Sequence, residues 1–243
     1  MSLDQRKLKV GAVIFDLDGT LIDSIDIYFA IVEKALERLN LPAVSRSQIL
    51  AAAESENFKW ELVLPQDVLN RKEKIIDEAW TVINEIAPQM FADNLDLIQG
   101  AGRIVENIAS NGLKIGLVTS TQRKYLATKM QPLKDAGVDQ LFEAIITSDD
   151  VEKRKPAPDP LITCAQQLDM KTDNCVYVGD TTTDIKAGKA AGMQTVGVLT
   201  GFDDYESLNR ENPDAIIDSV QMLGSVIATL SSASTGKYEK ADT

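Results

Sequence analysis

Val10-Gly11-Ala12-Val13-Ile14-Phe15-Asp16-Leu17-Asp18-Gly19-Thr20 decides the fold. Val10–Phe15 carries no charge, is apolar on both faces and stops at an aspartate. An uninterrupted short apolar run suits a strand buried on both sides, as in a parallel sheet covered by helices. Runs of the same kind recur at Lys114–Val118 (KIGLV), Ala144–Ile146 (AII), Cys175–Val178 (CVYV), Thr195–Leu199 (TVGVL) and Ala215–Ile217 (AII). Helical patterns at Gly102–Asn111, Pro160–Leu168 and Thr183–Ala191 separate them, and Gly112 and Gly192 close two of these. Pro132 interrupts the helical pattern from Gln122 to Ala136 and predicts a kink or two shorter helices. Strands alternating with helices imply an α/β fold with a Rossmann-like parallel-sheet core.

Ile22 to Asp96 breaks this rhythm. Ile25, Tyr28, Phe29, Val32, Leu36 and Leu39 recur at helical spacing, with Asp23 or Ser24 as the cap, and Leu41-Pro42 ends the pattern. Ser45 with Gln48 makes a capping box for a second helix. Ile75, Ile76, Ala79, Trp80, Ile83 and Ile86 form a long amphipathic face expected to end at Pro88. No strand candidate lies within the segment. The expectation is an all-helical cap domain, residues 22–95, inserted after the first strand of a discontinuous catalytic core, residues 1–21 and 96–243. Ser231–Thr243 reads as a loose polar tail.

The chain has 243 residues, enough for a core without covalent staples. Its net charge of -12 makes nucleic acid a poor partner, yet leaves room for a small phosphorylated ligand held by local cations. No apolar run reaches bilayer-spanning length, so no membrane partner is expected; no signal peptide precedes the first strand, and a cytoplasmic location is the expectation. The oligomeric state cannot be read from the sequence. Cys164 and Cys175 read as small buried apolar side chains. The chain contains 0 histidines, which removes Ser-His-Asp and Cys-His systems and histidine-ligated metals. Chemistry must come from carboxylates, hydroxyls, amines or a metal held by oxygen.

Four segments offer those groups at strand ends, where parallel sheets bind ligands. Asp16 and Asp18 follow the first strand, and Gly19 permits a sharp turn. Two adjacent carboxylates repel, and a divalent cation resolves the repulsion; taken alone, the pair also suits a solvated turn. Thr119 follows KIGLV, and its hydroxyl with the Ser120 and Thr121 amides at a helix start would cradle an anion; alone, it suits an ordinary helix cap. Lys155 precedes the stiff Pro156-Ala157-Pro158 segment and could neutralise charge between a carboxylate and a phosphoryl group; alone, it suits a basic loop. Asp180 follows CVYV as a metal-ligand candidate. Asp184 opens the next helix, where both acids also suit the helix N-terminus.

Together and in this order, IFDLDGTLIDS, VTST, KPAPDP and VYVGDTTTDIKAGKAAG resemble motifs I to IV of the haloacid dehalogenase (HAD) superfamily, in its phosphoglycolate phosphatase-like branch. The helical insertion resembles the C1 cap of that branch. Arg154 stands where close relatives often have glycine. The resemblance implies a phosphatase acting on a small phosphorylated metabolite. Asp16 would be the nucleophile that forms an aspartyl-phosphate, and Asp18 the acid and base. Thr119, Ser120 and Lys155 would hold the phosphoryl oxygens. Mg²⁺ would be held by Asp16, the Asp18 carbonyl and Asp180, with Asp184 either a direct or an outer ligand. The resemblance also sorts the alternatives. Dehalogenases and phosphonatases lack an acid at Asp18. β-Phosphoglucomutase-like phosphomutases keep it but use a cap histidine, where this chain offers Tyr28. A non-enzymatic phosphoacceptor module of the response-regulator kind is about half this length and lacks the insertion. Substrate choice is expected to lie in the loop Thr200-Gly201-Phe202 and in the cap, with Ser24, Arg46, Lys59, Trp60 and Arg71 as candidates, none singled out. Trp60 reads more readily as cap core, and the charges as a solvated face. Hinges are expected near Ile22 and Asp96.

Overall fold

The computed structural model describes residues 7–53 and 58–229; the polar tail from Ser231 lies outside them. The chain opens with β1 (Leu8–Val10) and β2 (Ala12–Phe15). The single strand expected over Val10–Phe15 is therefore divided at Gly11. There the chain leaves a small ladder and enters the main sheet, with the Gly11 amide donating to the Asn174 carbonyl at 2.8 Å. Next come β3 (Ile22–Asp23), α1 (Ile25–Arg38), α2 (Arg46–Ala53), α3 (Lys72–Asn94) and β4 (Asp96–Leu97). After these, α4 (Ala101–Ser110), β5 (Lys114–Val118), α5 (Arg123–Lys129), α6 (Gln131–Asp135), β6 (Ala144–Ile146) and α7 (Asp159–Gln167) alternate. The chain continues through β7 (Cys175–Gly179), α8 (Thr182–Ala190), β8 (Gln194–Val198), α9 (Tyr205–Arg210), β9 (Ala215–Ile217), α10 (Leu223–Val226) and β10 (Ile227–Thr229). β10, which pairs in parallel with β1, has no counterpart in the sequence reading.

The main sheet has six strands in the order β6-β5-β2-β7-β8-β9, all parallel. Side chains alternate between two apolar layers. Val13 and Phe15 join Ile104, Val105 and Ile108 of α4 on one face, while Ala12, Ile14 and Tyr177 meet Leu161 and Cys164 of α7 on the other. Burial on both faces is why these strands lack polar alternation. Cys164 and Cys175 are free and buried, as expected.

β2 sits where the order of the chain reverses, with β5 on one side and β7 on the other. Phe15 lies in register with Leu117 of β5 and Val178 of β7. Asp16, Thr119 and Asp180 therefore leave the sheet side by side at its carboxyl edge, the place where open parallel sheets form a crevice.

The helical insertion is entered and left through the antiparallel pair β3–β4, with Ile22 opposite Leu97 and Asp23 opposite Asp96. Strand pairing, not expected in this segment, is confined to its two ends among the described residues. α1 packs along α3, burying Ile27, Ile31, Ile86, Ala87 and Phe91 in one cluster. Three local expectations meet different outcomes. The Ser45–Gln48 box is formed in both directions, at 3.0 and 3.3 Å. Ser24 does not cap α1: its backbone is already helical and its buried hydroxyl has no partner among the described residues. Pro88 does not end α3, which continues to Asn94. An interior proline costs about 3 kcal/mol, but burying large apolar side chains such as Ile86 and Phe91 contributes about 1.5–3 kcal/mol each. Tertiary packing carries the helix through. Pro132 behaves as expected, leaving two short helices, α5 and α6. No helix among the described residues is long and apolar enough to cross a membrane.

Candidate active site

Lys155 is the hub of the carboxyl edge. Its ammonium donates to Asp16 Oδ1 at 2.7 Å, to Asp184 Oδ1 at 2.7 Å and to the Tyr177 hydroxyl at 2.9 Å. β2 supplies Asp16, β7 supplies Tyr177, and the first turn of α8 supplies Asp184. Thr181 caps that helix, with Asp184 returning the bond to the Thr181 amide at 3.1 Å. Asp184 thus keeps one oxygen on its own helix terminus, as the helix-terminus reading expects, and offers the other to Lys155.

Asp180 lies beside them, almost fully buried. Its oxygens accept from the Phe202 amide at 2.9 Å and the Thr20 hydroxyl at 3.3 Å. Two glycines make room for it. A Cβ on Gly201 would stand 1.8 Å from Asp180 Oδ2, and one on Gly19, whose φ is +72°, would stand 2.5 Å away. The Thr200–Phe202 loop is therefore part of the site wall, tied by the Thr200 hydroxyl to the Gly19 carbonyl at 2.7 Å.

Carboxylate oxygens of Asp16, Asp180 and Asp184 all lie within 4.8 Å of one another. Burial pushes the Asp16 carboxyl up from an ordinary 3.8 to about 7, against the pull of Lys155. Burial, then the neighbouring Asp184 and Asp16, hold Asp180 well above its ordinary value. Burial works on Asp184 too, but Lys155 and the hydrogen bonds from Lys155, Thr181 and Tyr177 bring it below the usual carboxylate range. Lys155 keeps its charge because Asp16 and Asp184 outweigh the burial that opposes it. Were all three acids ionised, they would exceed the one ammonium by two negative charges, which one divalent cation would balance. The donor set is all oxygen, the preference of a hard ion. These residues fit a metal.

Asp18 stands next to this group but faces elsewhere. Both its oxygens accept from Lys129, at 2.7 and 2.8 Å, and Oδ2 also accepts from the Thr121 hydroxyl at 3.0 Å. Its carboxylate is not part of the triad. Lys129, the last residue of α5, is buried and also donates to the hydroxyl of Tyr28 on α1. Its ammonium lies 4.8 Å from the Tyr28 ring centre and 4.6 Å from that of Phe91. Burial opposes its charge, and Asp18 and Tyr28 more than offset it, holding its pKa above the ordinary lysine value. Burial, then the Asp18 charge, push the Tyr28 hydroxyl up to about 12.

The anion cradle expected at Thr119 is different in detail. Thr119 is buried at the strand end, but its hydroxyl accepts from the Thr121 amide at 3.0 Å, so that amide serves the turn. α5 begins only at Arg123, not directly after the strand. Ser120 is exposed and lines the cavity together with Asp16, Asp18 and Lys155. Of the insertion candidates, Trp60 is buried and also lines the cavity. Arg46 pairs at the surface with Asp26, Lys59 and Arg71 are exposed, and Ser24 is enclosed. The sequence reading does not find Lys129, and it names Thr121 for its amide rather than for the hydroxyl that reaches Asp18. A lysine that ends a short polar helix carries no local signal of burial, and only the docking of α3 and α5 supplies it.

The model of the family described as "Haloacid dehalogenase-like hydrolase" matches residues 13–198. A phosphoglycolate phosphatase of Shigella boydii is 28% identical over 242 residues, covering 88% of this chain and 91% of its own. Among solved structures, a Haemophilus somnus protein assigned as a phosphoglycolate phosphatase superposes with a TM-score of 0.78 at 20% identity, over 93% of this chain and 99% of its own. A Thermotoga maritima protein assigned as a β-phosphoglucomutase gives 0.65 at 21%, over 89% and 98%. At such identities the two structures speak for the fold alone.

Proposed function

Because the chain belongs to the haloacid dehalogenase-like hydrolase family, we propose that it is a Mg²⁺-dependent phosphatase that cleaves a small phosphate monoester through an aspartyl-phosphate on Asp16. The arrangement of Asp16, Asp180 and Asp184 around one lysine, at the carboxyl edge of the sheet, carries this reading. The phosphoglycolate phosphatase relative supports the reaction class.

A carboxylate oxygen of Asp16 attacks phosphorus in line and the ester oxygen departs. Lys155, already on Asp16, neutralises charge on the phosphoryl oxygens beside it. The Ser120 amide and Thr119 are the proposed neutral donors to those oxygens. Asp18 gives its proton to the leaving alkoxide, then takes one from the water that opens the acyl-phosphate, so one group ends the cycle as it began. Thr121 and Lys129 aim that carboxylate. Asp16, Asp180 and the Asp18 carbonyl are the proposed holders of Mg²⁺, with Asp184 beside them. When bound, the ion would supply positive charge that keeps the acids ionised and draws charge from the phosphoryl group. Residues 22–95 form the proposed cap, with hinges at β3 and β4, and its Tyr28 and Phe91 help close the site over Lys129.

The phosphomutase reading rests on fold alone, and where it needs a histidine this chain has Tyr28. The test is phosphate release from p-nitrophenyl phosphate with and without Mg²⁺, using Asp16→Asn as control. Folded wild-type protein that releases none, or an Asp16→Asn variant that keeps pace with wild type, would overturn the reading. Interconversion of glucose phosphates without net phosphate release would instead favour the mutase.

A further inference from the structure

The cavity is larger and more aromatic than a two-carbon substrate needs. It measures about 1180 Å³ and runs without interruption from Asp16, Asp18 and Lys155 to Phe58, Trp60 and Trp80 in the helical insertion. Pockets for small organic ligands are typically about 300–1,000 Å³, so a minimal ester would leave most of this space empty. The far end is built for rings. Phe58 meets Trp60 edge-on with centroids 4.9 Å apart, and Trp60 meets Trp80 in the same way at 5.9 Å. Ile49 and Ile83 continue the apolar wall. One feature there is open to a partner. Trp80 is 45% exposed although it lines the cavity. The near end carries the lysines Lys124, Lys129, Lys153 and Lys155, a setting for a phosphate.

Taking the phosphatase reading as given, we infer that the substrate is a phosphate monoester of an alcohol that bears a planar heteroaromatic ring. The ring lies against the exposed face of Trp80, beside Trp60. The phosphoryl group passes from the ester oxygen to Asp16 and then to water, and the ring-bearing alcohol leaves with a proton. Nucleosides and flavin-type cofactors share this chemistry.

The chain has 2 tryptophans, and both line this cavity, so indole fluorescence reports its occupancy directly. The experiment compares phosphoglycolate, adenosine 5′-monophosphate and flavin mononucleotide by kcat/KM and by fluorescence quenching. The expected result is saturable quenching by at least one ring-bearing ester and a kcat/KM for it at least about tenfold above that for phosphoglycolate; whichever ester leads identifies the source. Trp80→Ala should lower the ratio of ring-bearing to phosphoglycolate kcat/KM by about five- to tenfold, through KM, as lost stacking would do. Turnover that favours phosphoglycolate, or a ratio that Trp80→Ala leaves unmoved, overturns the inference and leaves the phosphatase reading standing. If no ester is turned over, the phosphatase reading falls; quenching by a ring-bearing ester then still supports the ring site, and absence of quenching ends it.

Discussion

Two buried lysines, Lys155 and Lys129, each hold an aspartate of the loop after β2, and they differ in what else they touch. Lys155 is enclosed by the sheet and α8: its partners Asp16, Tyr177 and Asp184 all belong to the α/β core. Lys129 holds Asp18 with one side of its ammonium and meets Tyr28 and Phe91 of the helical insertion with the other. One lysine balances charge within a rigid frame. The other joins Asp18, the proposed acid of the reaction, to a part of the chain that enters and leaves through two short strands. The same residue type thus serves charge balance in one place and coupling in the other.

Substitutions can break or sharpen this contrast. The largest expected effect is at the acid Lys155 serves: Asp16→Asn should lower the rate of phosphate release by about a thousandfold or more, with the protein still folded by circular dichroism because one of three crowded acids becomes neutral. Lys155→Met should follow. Removing one partner of a buried ion pair typically costs about 3–5 kcal/mol, so urea denaturation should show a large loss of stability, together with a drop in kcat of roughly a hundredfold. Lys129→Met should cost less, about ten- to a hundredfold in kcat/KM, because Asp18 keeps the Thr121 hydroxyl; equality with Lys155→Met would erase the contrast. Tyr28→Phe, which keeps the ring, should cost about 1 kcal/mol, one hydrogen bond to a charged group, read as a small shift in the urea midpoint.

The smallest effect calibrates both pairs against a surface one. Asp150 accepts from Arg123 and, at 2.8 and 2.7 Å, from the amide and hydroxyl of Thr147. The Arg123 hydrogen bond chiefly lowers its carboxyl from 3.8 to about 2. A depressed folded-state pKa means that the stabilisation is complete above the unfolded value and fades as pH falls through the folded one. The melting-temperature gap between wild type and Asp150→Asn should therefore be constant near neutrality and shrink as pH drops from about 4 towards about 2. Solvent screening keeps it below about 1 kcal/mol. A gap that widened on acidification would reverse the sign.

Much of the frame is legible in the sequence because its signals are local. Lys114–Val118, Ala144–Ile146 and Ala215–Ile217 are strands with the bounds read from their apolar runs. Asp16, Thr119 and Asp180 align as strand-end residues before any register is known. The misses have one cause. Helix propensity alone makes Pro88 a stop, yet α1 and α3 bury enough surface to carry the helix past it. Local pattern makes the amides after Thr119 a cradle at a helix start, but the turn consumes one of them and the helix begins later.

Residue order alone determined the parallel α/β core, the helical insertion and the acids and lysine at its strand ends, because a strand's pattern and the residue that ends it lie within a few positions of each other. Tertiary structure alone decided that Lys129 reaches Asp18 across 111 positions and Tyr28 across 101, and that Trp60 and Trp80 share a cavity with the aspartates. Contacts so far apart in the chain arise only when helices dock, and no local pattern records which faces will meet.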